Sequence, residues 1–383
     1  MFTPDLIRRF ESIETPFYYY DTNILADTLA IIAQQTKQYD YKVHYALKAN
    51  ANSQILTQIK NAGLGADCVS GNEVKRAIEI GFLPQNIAFA GVGKTDKEIM
   101  LGLEYGIFSF NCESIPEIEV INLLAKANGK IAKIALRINP NVTANTHKYI
   151  ATGSEENKFG IQLEDLPTLI DLLPKFENIQ LTGIHFHIGS QITDLDNFKN
   201  LCLRVNSLQT FFADKQIVLE HINVGGGLGI NYQAPDSHIF ADFEHYFATF
   251  AKNLQRRPAQ EVHFELGRAV VANCGSLISK VLYVKKGTAK QFIILDAGMT
   301  ELIRPALYQA HHEIQNLTSV ATTTQIYDVV GPICESSDCF VKNITLPSTQ
   351  RGDLFAIRSA GAYAYVMSSN YNLREKVAEI FSE

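Results

Sequence analysis

The chain has 383 residues, of which 46% are apolar and 19% charged, with a formal net charge of -6. That is long enough for one large domain and a smaller one with filled cores, and the balance is globular rather than disordered. A negative chain with no Lys/Arg cluster argues against a nucleic-acid-binding face. No apolar run reaches membrane-spanning length, and the opening MFTPDLIRRFESIETP carries acids and a proline where a signal peptide has an apolar core. The expected setting is the cytoplasm. There the six cysteines (68, 112, 202, 274, 334 and 339), with no CxxC pair, read as mostly small buried residues rather than disulfides or a zinc site.

In chain order, FYYYD at 17–21 is an extended segment standing before the periodic part. Short apolar runs then recur at 43–48, 63–69, 87–91, 107–111, 133–138, 181–188, 219–225 and 261–266. Between them lie helix signals. Ser70 with Glu73, Thr95 with Glu98, and Ser114 with Glu117 all have the spacing of a capping box ahead of an apolar-periodic run. Strands alternating with helices imply parallel pairing through right-handed crossovers, and eight such units over this length predict an α/β fold of the (β/α)8 barrel type. An open doubly wound sheet is the competing architecture, but its first turn tends to carry a glycine-rich loop, which here comes at the seventh strand. The connection 140–180 contains HKYIATGSEENKFG (147–160), too polar for core and read as a mobile loop over the barrel mouth.

From about residue 275 the pattern changes. VLYVKKG, QFIILDAG, TTQIYDVVG, CFVKNITL and DLFAIRSAG are strand-like and separated by turns rather than helices. They predict a mostly antiparallel β-sandwich or barrel domain, with a helical tail near 371–382 and FYYY as an added strand. The expected boundaries are 24–272 for the barrel, and 1–23 with 273–383 for the β domain.

In such a barrel the strand carboxyl ends share one face. Reading those ends brings together Lys48, Asp67, Asn111, Arg137, His187, Gly225-Gly226-Gly227 and Glu265-Leu266-Gly267-Arg268. A lysine closing an apolar strand is costly unless paired, neutralised or covalently committed, although it can also snorkel to solvent. The glycine triplet exposes backbone N–H groups to an anion, or is a plain tight turn; Ser190 and Gly267 lie in neighbouring loops and could donate to the same phosphate. His187 can stack on a flat ring or be a hydrogen-bonded core histidine. Glu265 can pair Arg268 or a protonated ring nitrogen. Together the set fits pyridoxal phosphate, held covalently by a lysine amine while a carboxylate keeps the ring nitrogen charged.

On these residues, YALKAN, HFHIGSQ, NVGGGLG and ELGR resemble the signature segments of fold-type III pyridoxal-phosphate enzymes, the alanine racemase and ornithine decarboxylase superfamily. Order and spacing match over nearly the full length. Leu266 departs from the proline usual there, which frees one φ angle and leaves the chemistry of Glu265 and Arg268 in place. Within the superfamily, HKYIATGSEENKFG, IRPALYQAHH (303–312) and GPICESSD (331–338) resemble the diaminopimelate decarboxylase family most closely.

That resemblance implies that Lys48 carries pyridoxal 5'-phosphate and His187 stacks on it, with Asp67 and Glu265 also at the cofactor. Ser190, Gly225, Gly226, Gly227, Gly267 and Tyr363 would hold its phosphate end, and Arg268 is counted with both cofactor and substrate. Arg268, Arg304, Tyr308, Glu335 and Tyr363 would take the substrate, with Cys334 as proton donor; Cys334, Glu335 and Tyr363 would lie at or near a site built with the partner subunit, hence a homodimer with shared sites. A thiol near its ordinary pKa of about 8.5 is mostly protonated at neutrality and so can donate; the plainer reading of Cys334 is a structural thiol. The plainer reading of Arg304 is a domain-interface ion pair. The implied reaction is decarboxylation of meso-2,6-diaminopimelate to L-lysine and CO2. Alternatives are a decarboxylase of ornithine, arginine or another basic amino acid, whose ornithine-specific members resemble one another in CDG rather than CES, or a non-catalytic pyridoxal-phosphate-binding protein.

Overall fold

The computed structural model describes residues 2–141 and 158–382. Most of the polar segment 147–160 lies outside the described residues. A helix over Pro4–Glu11, capped by the Thr3 hydroxyl accepting from the Leu6 amide, precedes β1 (Phe17–Tyr20).

Eight strands follow: β2 (Tyr41–Ala46), β3 (Gly65–Cys68), β4 (Ile87–Phe89), β5 (Ser109–Cys112), β6 (Ala132–Arg137), β7 (Ile179–His185), β8 (His221–Asn223) and β9 (Glu261–Leu266). They pair in parallel in chain order, and β9 closes on β2 to complete the barrel. A doubly wound sheet is thereby excluded. The strands are short and mostly buried on both faces, which is why they read as near-continuous apolar runs rather than as an alternation.

The helix starts follow the capping chemistry in their sequence. Thr95 and Glu98 form a reciprocal box, side chain to backbone in both directions. Ser70 and Ser114 cap in the same way, but their glutamates reach one residue further back, Glu73 to the Val69 amide (2.7 Å) and Glu117 to the Glu113 amide (2.6 Å). Each satisfies backbone donors at the point where a strand-end loop enters a helix, which fixes the loops that carry the site residues. At the other end of the barrel the rings of His44, Phe108, His221 and His263 pack on one another, with centroids 4.7–5.6 Å apart. The interior is therefore a packed core and not a pore.

The later strands are β10 (Gly275–Lys286), β11 (Gln291–Leu295), β12 (Ile314–Asn316), β13 (Thr324–Val330), β14 (Cys339–Pro347), β15 (Leu354–Ile357) and β16 (Ala378–Phe381). They run in the order β12-β15-β10-β11-β13-β14, antiparallel except for β11 beside β13. The FYYY segment joins this sheet as expected, with β1 antiparallel to β10. The expected helical tail is not found. Residues 371–373 form one 3-10 turn, and Ala378–Phe381 is a strand parallel to β1. The free edge of β1 needs partners for its peptide groups, and β16 supplies them while Ile380 packs on the Phe10–Tyr19 cluster and Phe381 stacks on Tyr20 at 5.1 Å.

The backbone divides into two compact units, Leu29–Gly229 with Asp242–Gly267, and Met1–Thr28 with Ile230–Ala241 and Arg268–Glu383. The segment Ile230–Ala241, read from sequence as part of the barrel, goes with the second unit. Asp236 pairs with Arg358 at 2.9 Å and accepts from Gln315, and Asn273 donates to the carbonyls of His238 and Ile239. Among the described residues, no helix is long and apolar enough to cross a membrane.

Candidate active site

Lys48 lies in the 3-10 turn Leu47–Ala49 that immediately follows β2, not within the strand itself. Its ammonium is 4.0 Å from Asp67 Oδ2 at the end of β3, and Asp67 Oδ1 is buried with no hydrogen-bond partner. Burial, and then the negative charge of Glu265, raise the Asp67 carboxyl well above the usual range; Lys48 and Arg137 pull the other way. Glu265 is raised by burial too. Two buried acids in one barrel mouth cannot both ionise cheaply without more positive charge than Lys48 and Arg137 bring.

Glu265, near the end of β9, is held on both oxygens. Oε1 accepts from Asn111 Nδ2 of β5 (3.1 Å) and Asn223 Nδ2 of β8 (2.7 Å), while Oε2 lies 2.8 Å from His185 Nε2 at the end of β7. All four side chains are buried. Burial, then the charges of Arg137 and Lys48, hold His185 well below the ordinary histidine pKa. A neutral ring facing a carboxylate places its proton on Nε2, so the imidazole donates. Three donors from three strands aim one carboxylate, which is the rigid support a functional acid needs.

Asn223 does a second job. Its Oδ1 accepts from the Gly225 amide at 2.9 Å, so one amide side chain ties the glycine triplet to Glu265. Gly225 has φ +70, and a Cβ on Gly226 would stand 1.7 Å from the Glu265 carbonyl oxygen, so no other residue fits this crossing. The Gly226 amide points to His187 Nδ1 at 3.4 Å. His187 lies two residues beyond the end of β7, and burial, then the charges of Lys48 and Arg137, keep its ring neutral. The loops after β7 and β8 are stitched together by Ile192 and Gly227 at 2.8 Å, which brings the segment carrying Ser190 to the triplet. Gly267 directly follows β9.

Replacing Asn223 with leucine is expected to strand the Gly225 amide and one lone pair of Glu265. At about 1–3 kcal/mol for each buried unpaired group, urea unfolding should show a loss of roughly 2–4 kcal/mol. A loss below about 0.5 kcal/mol, the scatter of ordinary surface substitutions, would mean that the amide carries no load.

Arg137 at the end of β6 bonds Glu113 at 2.6 Å and packs under the Phe159 ring at 4.7 Å. Glu113 also accepts from the Gly160 amide at 2.8 Å, anchoring the described end of the 140–160 connection.

The remaining expected residues belong to the second unit. Arg268 opens the helix Arg268–Val271, donates to Tyr232 Oη at 2.7 Å and lies 4.8 Å over the Tyr363 ring. Tyr363 has φ +55, a left-handed conformation of the kind retained at functional sites. Arg304, buried at the start of the helix Arg304–Tyr308, lies 4.8 Å over the ring of Tyr232 and 2.7 Å from His312. Among the described residues it has no acidic partner, and its Nε is buried without a hydrogen bond. Tyr308 is partly buried at the end of the same helix. Cys334 and Glu335, in contrast, are exposed, and Glu335 accepts from the exposed Tyr371 hydroxyl at 2.8 Å.

Sequence reading missed His185, Asn223, Tyr232 and His312. The first two carried a signal: His185 precedes His187, and Asn223 precedes Gly225, by the two-residue period of a strand. His312 closes the IRPALYQAHH segment singled out by resemblance, whereas Tyr232 carried no signal.

The set fits pyridoxal phosphate: a lysine amine beside a buried acid with an unpaired oxygen, a ring-sized histidine face, a glycine crossing and a braced carboxylate. Residues 26–272 match the family model for the pyridoxal binding domain of pyridoxal-dependent decarboxylases, which puts this barrel in the class of fold-type III pyridoxal-phosphate-dependent decarboxylases. A Bacteroides thetaiotaomicron protein named diaminopimelate decarboxylase is 60% identical over 370 residues, covering 96% of each chain. The crystal structure of diaminopimelate decarboxylase from Helicobacter pylori complexed with L-lysine superposes with a TM-score of 0.92 at 38% identity, covering 98% of this chain and 94% of that one. The chain belongs to the diaminopimelate decarboxylase family. A Vibrio vulnificus lysine/ornithine decarboxylase, at 19% identity and a TM-score of 0.85, shares the fold.

Proposed function

We propose that the chain removes CO2 from meso-2,6-diaminopimelate to leave L-lysine, with pyridoxal 5'-phosphate held at Lys48. The observation that carries the substrate choice is Arg304. It is a buried guanidinium whose partners, His312 and the Tyr232 ring, are all neutral. Burial and then the like charge of Arg268 pull its pKa down, so it is a cation short of an anion. A buried charge is tolerated when a partner arrives to pair it. Ornithine has only the carboxylate that is lost, whereas diaminopimelate brings a second one at its far end.

When bound, pyridoxal phosphate supplies a sink for the electron pair left by the departing carboxylate. Lys48 Nζ is the attachment point. Glu265, kept oriented by Asn111, Asn223 and His185, would hold the ring nitrogen and favour its protonated form. His187 offers a neutral face for stacking. Ser190, Gly225, Gly226, Gly227, Gly267 and Tyr363 take the phosphate end. Arg268, Arg304, Tyr308 and Glu335 take the distal amino acid group, Glu335 accepting from its ammonium. Cys334 Sγ delivers the proton to the carbon that lost CO2.

We further propose a homodimer in which Cys334 and Glu335 serve the partner's site. Both are exposed on their own chain, and the adjoining Leu373 is 94% exposed with φ +59. An apolar side chain held in that strained backbone beside a functional acid suits a surface covered by a second copy. The six cysteines are free, which suits the reducing cytoplasm.

The test is a CO2-release assay across meso-diaminopimelate, ornithine, arginine and lysine. Arg304→Ala and Glu335→Ala are expected to raise KM for diaminopimelate on the order of 100-fold, the size of losing a charge-assisted contact. Unchanged KM in both variants, or faster turnover of ornithine by the unaltered protein, would remove the assignment.

A further inference from the structure

His312 is a buried histidine that the reaction as described does not use. Its Nε2 lies 2.7 Å from Arg304 Nη1, and its Nδ1 lies 2.7 Å from the carbonyl oxygen of Arg358. A guanidinium can only donate and a carbonyl can only accept. The two contacts therefore settle the tautomer: Nδ1 carries the hydrogen and Nε2 presents its lone pair to Arg304. A proton on Nε2 would face an arginine hydrogen. Burial, and then the Arg304 charge itself, drive the ring well below the ordinary histidine pKa, in agreement with that geometry. Tyr232 completes the clamp, edge-on to the imidazole at 5.0 Å and face-on to the guanidinium at 4.8 Å.

The choice of a histidine has a chemical consequence. A carboxylate at 312 would hold the guanidinium as firmly, but it would form a salt bridge and consume the charge. An apolar residue would remove the hydrogen bond between Nη1 and Nε2 that helps fix the direction of the guanidinium. A neutral imidazole fixes the direction and leaves the full positive charge for something else.

We propose that His312 is a positioning residue which aims Arg304 at the substrate's distal carboxylate while leaving the guanidinium unneutralised. This rests on the reading that Arg304 binds that carboxylate. It makes His312 a determinant of substrate class, since it matters only for molecules that carry the second carboxylate.

The experiment compares holoenzyme variants His312→Gln and His312→Glu, which are isosteric and differ in charge. For each, kcat and KM are measured with meso-diaminopimelate, and inhibition constants with L-lysine, which retains the distal carboxylate, and cadaverine, which has none. Gln keeps a neutral acceptor near the position of Nε2, so KM should rise less than about 5-fold, while Glu should raise it at least about 30-fold, as expected when a buried cation is paired off. The constant for L-lysine should follow KM, with kcat and the constant for cadaverine within about 3-fold of the unaltered enzyme, as for a change confined to uniform binding.

Equal KM values for Gln and Glu would overturn the proposal, as would a parallel loss of cadaverine binding, which marks general damage. Should the Glu variant not fold, His312→Leu replaces it: lacking an acceptor, it should exceed Gln in KM by about 10-fold, roughly one buried hydrogen bond to a charged group, and equality again overturns the role. Arg304→Ala separates the two readings. If it leaves KM unchanged, the distal-carboxylate assignment fails; if it raises KM while Gln and Glu coincide, only the role of His312 fails.

Discussion

Replacing Lys48 with alanine is expected to abolish turnover, lowering kcat on the order of 10⁴-fold or more, the scale of removing a covalent group from a catalytic unit. The expectation comes from the turn that presents it. β2 ends at Ala46, and the 3-10 turn carries Lys48 past the strand, where its side chain is 39% exposed and 4.0 Å from Asp67 Oδ2. Burial and the Glu265 charge raise the Asp67 carboxyl to about 8, so that acid is a weak counter-ion for the amine near neutrality. An amine at a strand end facing such a group suits covalent attachment of a carbonyl compound.

The unaltered protein is expected to take a borohydride-stable pyridoxyl label at position 48, and the alanine variant should fail to acquire it, a readout independent of activity. A fall in kcat of less than about 10-fold, a loss that one ordinary hydrogen bond would explain, would return Lys48 to a strand-end residue with no chemical role. So would a label found on another lysine.

The barrel and the positions of its strand-end groups were legible because both depend on short-range patterning. Each buried parallel strand is a brief apolar run, each helix start carries its own cap, and the residue after the run is at the mouth by construction. Lys48, Asp67, His187, the glycine triplet and Glu265 could be found in this way. What pairs with them could not. Glu265 is bonded by residues 42, 80 and 154 positions away, and those neighbours are decided by how the barrel closes rather than by anything local. The same holds for Arg304, whose clamp draws Tyr232 from a segment that interrupts the barrel in sequence but packs with the β domain.

The tail was misread for a different reason. A segment as short as Ala378–Phe381 is settled by the partner available to it, and that partner is the edge of β1, more than 350 residues earlier. Short apolar runs are ambiguous between helix and strand until their neighbours are known.

The second large effect is expected from mixing two inactive proteins. In the proposed roles, Lys48→Ala lacks the attachment point, and Cys334→Ala lacks the proton donor and should retain between about 10⁻² and 10⁻⁴ of the rate, the usual cost of losing a general acid. If Cys334 serves the partner's site, a mixed dimer has one site with both defects and one with neither. Random re-pairing of equal amounts puts about half of the dimers in that mixed class, so activity should return to about one quarter of the unaltered enzyme. If Cys334 serves its own chain, every site in the mixture keeps one defect and nothing returns. The geometry favours recovery. Among the described residues, the exposed Cys334 has its amide 3.5 Å from Asn372 Oδ1, and the Glu335 carboxylate accepts from Tyr371 rather than from an arginine. A proton donor left at the surface of one chain has no means of excluding water, and a carbon that must be protonated once, on one face, needs water excluded. A second subunit covering the 331–338 and 370–373 loops would supply that exclusion, and the mixing experiment measures whether it does.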